Sequence, residues 1–268
     1  MDAPAFETLA LAASAGVLQV TLNRPEARNA MSLAMVDELL AVLERAAADG
    51  TRVLVLRGAG GHFCAGADLK DMAAARQREQ SGERDAVAEV NARFGRLCAG
   101  FARTGLATIA VLEGAVMGGG LGLACVVDVA IAGRGARLSL PETSLGVVPA
   151  QVAAFLVERV GPSQARRLAV TGGTLDAAQA LAIGLVHEVH DDGAALDAAL
   201  ASTLAKMSRC APGAVAATKA LMARALHEPA AALVDDAARV FAEAARGPEG
   251  VEGMTAFLQK RAPAWAMQ

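Results

Sequence analysis

The reading of the fold turns on one stretch, EGAVMGGGLGLACVVD, Glu113 to Asp128. Three consecutive glycines follow a strand-like run, and between the triplet and Asp128 the only ionisable group is Cys125. Glycine gives up more backbone freedom on folding than any other residue, so a triplet inside regular structure needs a reason. Either a ligand comes too close to this main chain for side chains to be tolerated, or a helix packs tightly against a strand there. A second turn, CAGAD (Cys64 to Asp68), is of the same kind. Each sits where a strand ends and a helix can begin, and there the first backbone N–H groups have no intrahelical partner and point outward. Two such donors aimed at one oxygen form an oxyanion hole, each worth about 3 to 4 kcal/mol of barrier. Phosphate cradles fit less well. Leu123 stands where the last glycine of GxGxxG belongs, and no Gly-Lys-Ser/Thr follows.

Outward from this stretch, the pattern is that of an α/β core. GVLQVTLN (Gly16 to Asn23) reads as a strand and NRPEARN as a turn. Ser32 predicts an N-cap for a helix to about Ala48, with apolar positions at Met35, Val36, Leu39, Leu40 and Leu43. RVLVLRG (Arg52 to Gly58) is a buried strand, TIAVLEG (Thr108 to Gly114) another, and VVDVAIA (Val126 to Ala132) a third. Between them, the charged segment Asp71 to Thr104, with RQREQSGERD in its middle, reads as mobile or solvated helix. A strand-turn-helix-strand unit thus recurs with glycine at each turn. From about Ala150 helices dominate, with a brief strand at GLVHEVH and prolines at 212, 229, 248 and 263 punctuating the last part.

Composition narrows the function classes. Of 268 residues 54% are hydrophobic and 20% charged, enough apolar surface for a large core and too much for disorder. A net charge of -3 with no basic block gives no reason to expect nucleic acid. No run reaches the roughly 18 uncharged apolar residues of a membrane span. The stretch MDAPAFETLA opens on an acid instead of a basic region and does not read as a signal peptide. Cys64, Cys98, Cys125 and Cys210 lie far apart without CxxC spacing, which predicts neither zinc nor a disulfide framework and fits a reducing cytoplasm. His187 and His190, on a predicted strand, point to opposite faces and do not make a metal pair. No GxSxG elbow is present. Among carboxylates Glu142 stands out, following a proline in an apolar setting; alone it reads more readily as a helix-start or turn acid than as a catalyst.

Together these residues resemble the crotonase, or enoyl-CoA hydratase/isomerase, superfamily. The matching stretches are VTLNRPEARNAMS (Val20 to Ser32), HFCAGADLKDM (His62 to Met72), GAVMGGGLGLACVVDVAIA (Gly114 to Ala132), LSLPETSLGVVP (Leu138 to Pro149), ARRLAVTGGTLDAAQALAIGLVHEV (Ala165 to Val189) and FLQKRAPAW (Phe257 to Trp265). They come in family order and cover nearly the whole chain. The resemblance implies an α/β, crotonase-like spiral of β-β-α units over residues 1–200, with a C-terminal helical trimerisation region over 201–268. It implies an acyl-CoA thioester as substrate, no separate cofactor and no metal, and a homotrimer or a hexamer built as a dimer of trimers. The two oxyanion-hole amides fall on Ala67 and Gly119. Substrate and CoA contacts fall on Arg24, Ala27, Arg28, the segment Ala65, Gly66, Asp68 and Leu69, on Gly118, and on Phe257 with Lys260 reaching from a neighbouring subunit.

One departure from the family pattern bears on the reaction. Common enoyl-CoA hydratases use two glutamates; the second is present here as Glu142, while Gly122 stands at the position of the first. One carboxylate beside both carbons could accept a proton from water and donate one to the α-carbon. It could equally run a 1,3 proton shift, so an enoyl-CoA isomerase is the rival expectation and a non-catalytic acyl-CoA-binding protein a third. The wording MGGGLGLACVVD with LPETSLGVVPAQ is most similar to the branch acting on glutaconyl-type thioesters, especially the isohexenylglutaconyl-CoA hydratases of acyclic terpene breakdown. In such a site the substrate's own carboxylate, or a polar residue such as Gln151, would help to position water where Gly122 offers nothing.

Overall fold

A computed structural model of the chain describes residues 6–191 and 193–266. Residues 1–5, on which the leader reading partly rests, lie outside the described residues. The large sheet has six strands in the order β1 (Leu9–Ser14), β2 (Val17–Leu22), β3 (Val53–Gly58), β4 (Ala107–Leu112), β6 (Val129–Gly133) and β9 (Glu188–His190). β1 and β2 form an antiparallel hairpin across Ala15 and Gly16, both at positive φ, as a tight primed turn requires. All later pairs are parallel. A row Val20, Leu56, Ala110 and Ala130 runs in register across four strands, each residue fully buried. The smaller sheet has the order β5 (Ala115–Met117), β7 (Arg137–Ser139) and β8 (Thr174–Asp176).

Two turns of a spiral follow from this order. β4 in the large sheet, β5 in the small one and helix α4 (Gly119–Val126) make one β-β-α unit; β6, β7 and α5 (Ala153–Thr171) make the next. After β3 the chain does the same in miniature, through a parallel bridge of Cys64 to Val116, before entering α2 (Leu69–Gln80) and α3 (Ala86–Arg103). The spiral therefore stacks the segment after β3 directly against the segment after β4.

The strands are buried on both faces, which is why they read as continuous apolar runs. Leu54, Leu56, Ala110 and Leu112 face the main core beneath α1 (Leu33–Ala48), α3, α4 and α5. Their neighbours Val53, Val55, Ile109 and Val111 face Leu196, Ala199 and Leu200 of α7 (Gly193–Met207). Residue 200 thus falls inside a helix packed on the sheet. α1 begins as expected: the Ser32 hydroxyl accepts from the Met35 N–H at 3.2 Å, and Met35, Val36, Leu39 and Leu43 are buried. Short α6 (Ala177–Ala182) opens on a capping box of Asp176 and Gln179. The C-terminal part is helical: α8 (Pro212–Ala225), α9 (Ala230–Arg246) and α10 (Pro248–Leu258). α8 is tied to the spiral by Lys219, whose Nζ donates to Asp128 at 2.7 Å and to the Leu106 carbonyl at 2.6 Å. Among the described residues no helix is long and apolar enough to cross a membrane.

Three sequence expectations change. Residues 71–104 are not a loose solvated helix: α3 buries Leu97, Cys98 and Phe101 against the core, because Val90, Phe94, Leu97 and Phe101 form one helical stripe despite the charged neighbourhood. The strand expected from Val126 begins at Val129, since α4 runs through Val126. β1 went unread, its alanine-rich sequence LALAAS being a weak strand former held by pairing with β2.

Candidate active site

The turn after β3 and the turn after β5 meet. Cys64 N–H donates to the Ala115 carbonyl at 2.9 Å and Met117 N–H donates to the Cys64 carbonyl at 2.9 Å, which zips the two segments together. Gly66 sits at φ +98 with its Cα face toward this contact, where a Cβ would lie 3.3 Å from the Met117 carbonyl oxygen. Beyond it, Met31 takes both neighbours of Ala67: Met31 N–H donates to the Gly66 carbonyl at 2.7 Å, and Asp68 N–H donates to the Met31 carbonyl at 3.0 Å. With its flanks engaged on one side, the Ala67 N–H faces the other.

Across the cleft, Gly118 adopts φ +48, ψ -111, a conformation unfavourable for a side-chain-bearing residue, and its N–H donates to Ser139 at 2.9 Å. Gly119 then opens α4 as its first residue, with no side-chain cap ahead of it. Among the described residues neither the Ala67 nor the Gly119 N–H has a hydrogen-bond acceptor. Three glycines in the first four positions of α4 weaken it by about 1 kcal/mol each relative to alanine. That cost marks a backbone placed for something other than helix stability.

Glu142 completes the group. It lies in the short helical turn Glu142–Leu145, which is anchored when the Thr143 hydroxyl donates to the Ala169 carbonyl of α5 at 2.7 Å. Its Oε1 is 2.9 Å from where a Gly118 Cβ would be, so the carboxylate lies against the triplet's backbone. Its Oε2 is buried and, among the described residues, has no hydrogen-bond partner. Burial pushes the Glu142 carboxyl above the usual carboxylate range. A desolvated acid with one unpartnered oxygen, lying against the backbone next to the free Gly119 amide, can exchange a proton with something bound there.

A cavity of about 60 Å³ opens from the amides. Ala67 and Gly119 both line it, Met31, Leu33, Val36, Met72, Val90 and Phe94 supply apolar walls, Asp68, Asp71 and Asn91 are its polar members, and Glu142 is not among its lining residues. Asp71 is occupied, accepting from the Leu33 N–H at 2.6 Å.

A family model described as enoyl-CoA hydratase/isomerase matches residues 12–268. The chain belongs to the enoyl-CoA hydratase/isomerase family. It is 36% identical over 249 residues to the 2,3-dehydroadipyl-CoA hydratase of Escherichia coli, covering 92% of this chain and 94% of that protein. Among solved structures it is similar to Pseudomonas aeruginosa AtuE, with TM-score 0.93, 54% identity and coverage of 97% of this chain and 100% of the other. An enoyl-CoA hydratase/isomerase from Marinobacter aquaeolei gives TM-score 0.92 and 50% identity, with coverage of 97% and 99%. The chain is accordingly an enoyl-CoA hydratase-type enzyme acting on an acyl-CoA thioester, and its architecture is the crotonase spiral.

In this member of the enoyl-CoA hydratase/isomerase family the residues expected to contact CoA divide into two groups. Gly66 and Asp68 flank Ala67, with Ala65 and Leu69 one residue further out, and Arg24 and Arg28, on either side of the turn that holds Ala27, reach the same segment through side-chain and main-chain contacts. Arg24 Nη1 pairs with Asp68 at 2.9 Å and donates to the Ala30 carbonyl at 2.7 Å. Although burial opposes it, the Lys70 N–H and Arg24 hold the Asp68 carboxyl below its ordinary range. Ala65 N–H donates to the Arg28 carbonyl at 3.0 Å, and the Leu69 side chain is exposed. Phe257 and Lys260, by contrast, are exposed around the end of α10 and do not line the cavity.

The place of the first family glutamate is filled. A Cβ on Gly122 would lie 3.0 Å from Val152 Cγ2 and 3.1 Å from Phe94 Cζ, and one on Gly119 would lie 3.3 Å from the same ring carbon. Gln151 turns toward α3: its Nε2 donates to Asn91 Oδ1 at 2.8 Å, and its carboxamide fills the gap left by Gly95. Phe94, Val152, Asn91 and Asn29 were not singled out from sequence, although the Val90-Phe94-Leu97-Phe101 spacing carried a signal for the first. Asn29, buried at φ +56, braces the Arg24 turn by donating to the Ala59 and His62 carbonyls at 2.9 and 2.7 Å. The three buried cysteines are not candidate nucleophiles: burial pushes Cys64 up to about 11, Cys125 up to about 12, and Cys98 up as well. His187 Nδ1 accepts from the Ala130 N–H at 2.9 Å and His190 pairs with Glu188, so the two imidazoles serve different structural contacts. No cluster able to hold a metal occurs among the described residues.

Proposed function

We propose that this protein adds one water reversibly across the 2,3 double bond of a 2-enoyl-CoA thioester, with Glu142 as its single acid-base group. The observation that carries the reading is the unpartnered, desolvated Glu142 carboxylate lying against the backbone whose Gly119 amide is free. The thioester oxygen accepts from the Ala67 and Gly119 N–H groups. As water attacks the β-carbon, negative charge moves onto that oxygen, where two preset dipoles hold the enolate without reorganising. Glu142 accepts the proton of the attacking water and delivers a proton to the α-carbon, and elimination retraces the same path. Each positioned proton transfer supplies about 10² to 10⁴ in rate. Phe94 and Val152 close the side where a second glutamate would stand, which favours one carboxylate serving both carbons.

The acyl group proposed is a branched glutaconyl type, isohexenylglutaconyl-CoA included. It is supported by the wording around the glycine triplet and the Glu142 turn. The tethered Asn91–Gln151 pair adds support, since Asn91 offers the cavity an uncharged polar point beside apolar Val90 and Phe94. A homotrimer or dimer of trimers is supported by apolar residues left exposed on α9 and α10, among them Phe241, Phe257 and Leu258. Loss of enoyl-thioester absorbance across straight, branched and carboxylated 2-enoyl-CoA esters tests the reaction and ranks the substrates. Faster turnover of straight-chain esters would remove the glutaconyl assignment. The lone carboxylate also suits a 1,3 proton shift. A 3-enoyl-CoA that gains conjugated absorbance with no 3-hydroxy product would replace the hydratase with an isomerase.

A further inference from the structure

α4 is held at the end opposite the site. Arg159, on α5, inserts its guanidinium beneath the last turn: Nε donates to the Cys125 carbonyl at 3.1 Å, and Nη2 donates to Cys125 at 2.9 Å, to Ala124 at 3.3 Å and to Val127. Ala124 and Cys125 are among the last four carbonyls of the helix, which have no intrahelical donor. The remaining Nη1 lies 3.2 Å from His187 Nε2. His187 accepts from Ala130 through Nδ1, so its neutral form carries its proton on Nε2 and the ring adds no acceptor for Arg159. The guanidinium is thereby committed to the α4 carbonyls.

The two ends of this helix are treated oppositely. The N-terminal end has no side-chain cap and no acid in its first turn, so its partial positive charge is left for a ligand. The C-terminal end is met by the half-buried cation of Arg159. Eight residues at 1.5 Å rise place the poles only about 12 Å apart, and three glycines leave the helix little intrinsic preference for its shape. α5 is broken at Gly161 (φ +75, ψ 162), and beyond that break the Ala169 carbonyl anchors the Glu142 turn through Thr143. The Gly119 amide and the acid are therefore referenced to consecutive helical pieces on either side of the break.

We infer that Arg159 is a positioning residue for the reaction: by gripping the C-terminal carbonyls of α4 it sets where the Gly119 N–H meets the thioester oxygen relative to Glu142. The inference rests on the oxyanion-hole reading above, and its test separates the two. A para-amino cinnamoyl-CoA thioester is bound to the intact enzyme; its absorption shifts to the red when donors polarise the carbonyl. The wild-type protein is expected to produce this shift. Absence of a shift in bound wild type would remove the oxyanion reading itself. Given the wild-type shift, R159M is expected to lose most of it and to lower kcat about 100-fold, and R159K, with charge but one point donor, to lower kcat about 10-fold. KM changes little in both, because the CoA contacts are untouched. A folded R159M with the full red shift and wild-type kcat overturns the inference while leaving the oxyanion hole standing. If R159M does not fold, R159K decides alone: the full shift and unchanged kcat overturn the assignment. A rise in KM with kcat preserved does the same.

Discussion

Replacing Glu142 by glutamine changes one atom pair and separates two quantities that usually move together. The side chain keeps its shape against Gly118, where Oε1 lies 2.9 Å from the position of a Cβ. Glutamine can neither accept the proton of water nor return one to carbon. With both transfers assigned to this group, kcat is expected to fall by about 10³ to 10⁴, or about 4 to 5 kcal/mol of barrier. Stability should move the other way. Burial raises the Glu142 carboxyl above its ordinary 4.5, and its Oε2 has no partner among the described residues. The folded state therefore holds a proton that the unfolded chain has already released. Between 4.5 and the raised value each increase of pH favours unfolding, and above that value the full penalty of an ionised Glu142 is present. Glutamine removes the charge but leaves an amide imperfectly paired, so the expected gain is modest, about 1 kcal/mol at pH 7. At this chain length that is about 2 to 4 °C in Tm. At pH 4 Glu142 is protonated in the folded state and mostly so in the unfolded chain, so the part of the difference that comes from its charge should largely vanish. The assays are enoyl-thioester absorbance for kcat and thermal melts at pH 7 and pH 4, at equal protein concentration. Retained turnover, or a Tm at pH 7 below wild type, would refute the assignment of Glu142 as the desolvated acid-base group.

Other perturbations bear on the same frame. Gly118→Ala forces a Cβ into the φ +48 backbone and to 2.9 Å from Glu142 Oε1, so it should displace the carboxylate and lower kcat with KM nearly unchanged, as initial-rate kinetics would show. Gly119→Pro removes one oxyanion donor without adding charge and should cost about 10² to 10³ in kcat; a folded variant with wild-type turnover would reduce the triplet to packing. Gly122→Glu meets Val152 and Phe94 at 3.0 and 3.1 Å, and should destabilise by about 1 to 3 kcal/mol. Adding Phe94→Ala should recover part of that loss in thermal melts. Asp128→Ala leaves Lys219 and the Thr108 groups without their shared acceptor, and should cost about 2 to 4 kcal/mol and loosen α8 first, read by amide exchange.

What the sequence disclosed follows from the range of the interactions involved. Ser32 and the Met35-Val36-Leu39-Leu43 stripe are local, and the structure has them as read. β3 was legible because a strand covered on both faces is a continuous apolar run. The glycine turns announced themselves because the positive φ at Gly66 and Gly118 leaves little choice of residue. Glu142 was ambiguous locally, since its meaning comes from Gly118, 24 residues earlier in the chain, and from the burial of one oxygen. Phe94 was hidden by composition: charged neighbours lower the mean hydropathy of α3 while its helical stripe stays intact. β1 was illegible for a simpler reason, as alanine-rich strands exist only by virtue of their partner.

The bridge of Cys64 to Val116 has a wider consequence. Because the two amides proposed to hold the carbonyl hang from adjacent main-chain segments zipped by peptide hydrogen bonds, their separation is governed by ladder spacing, a constant of the polypeptide indifferent to side-chain identity. The cavity walls lie elsewhere, in Phe94, Met72, Val90 and their neighbours on helices, where the proposed mechanism leaves the choice of acyl chain to be made. Such a division of labour lets the appetite of the enzyme drift from one acyl chain to another while the grip that makes the chemistry possible stays in tune.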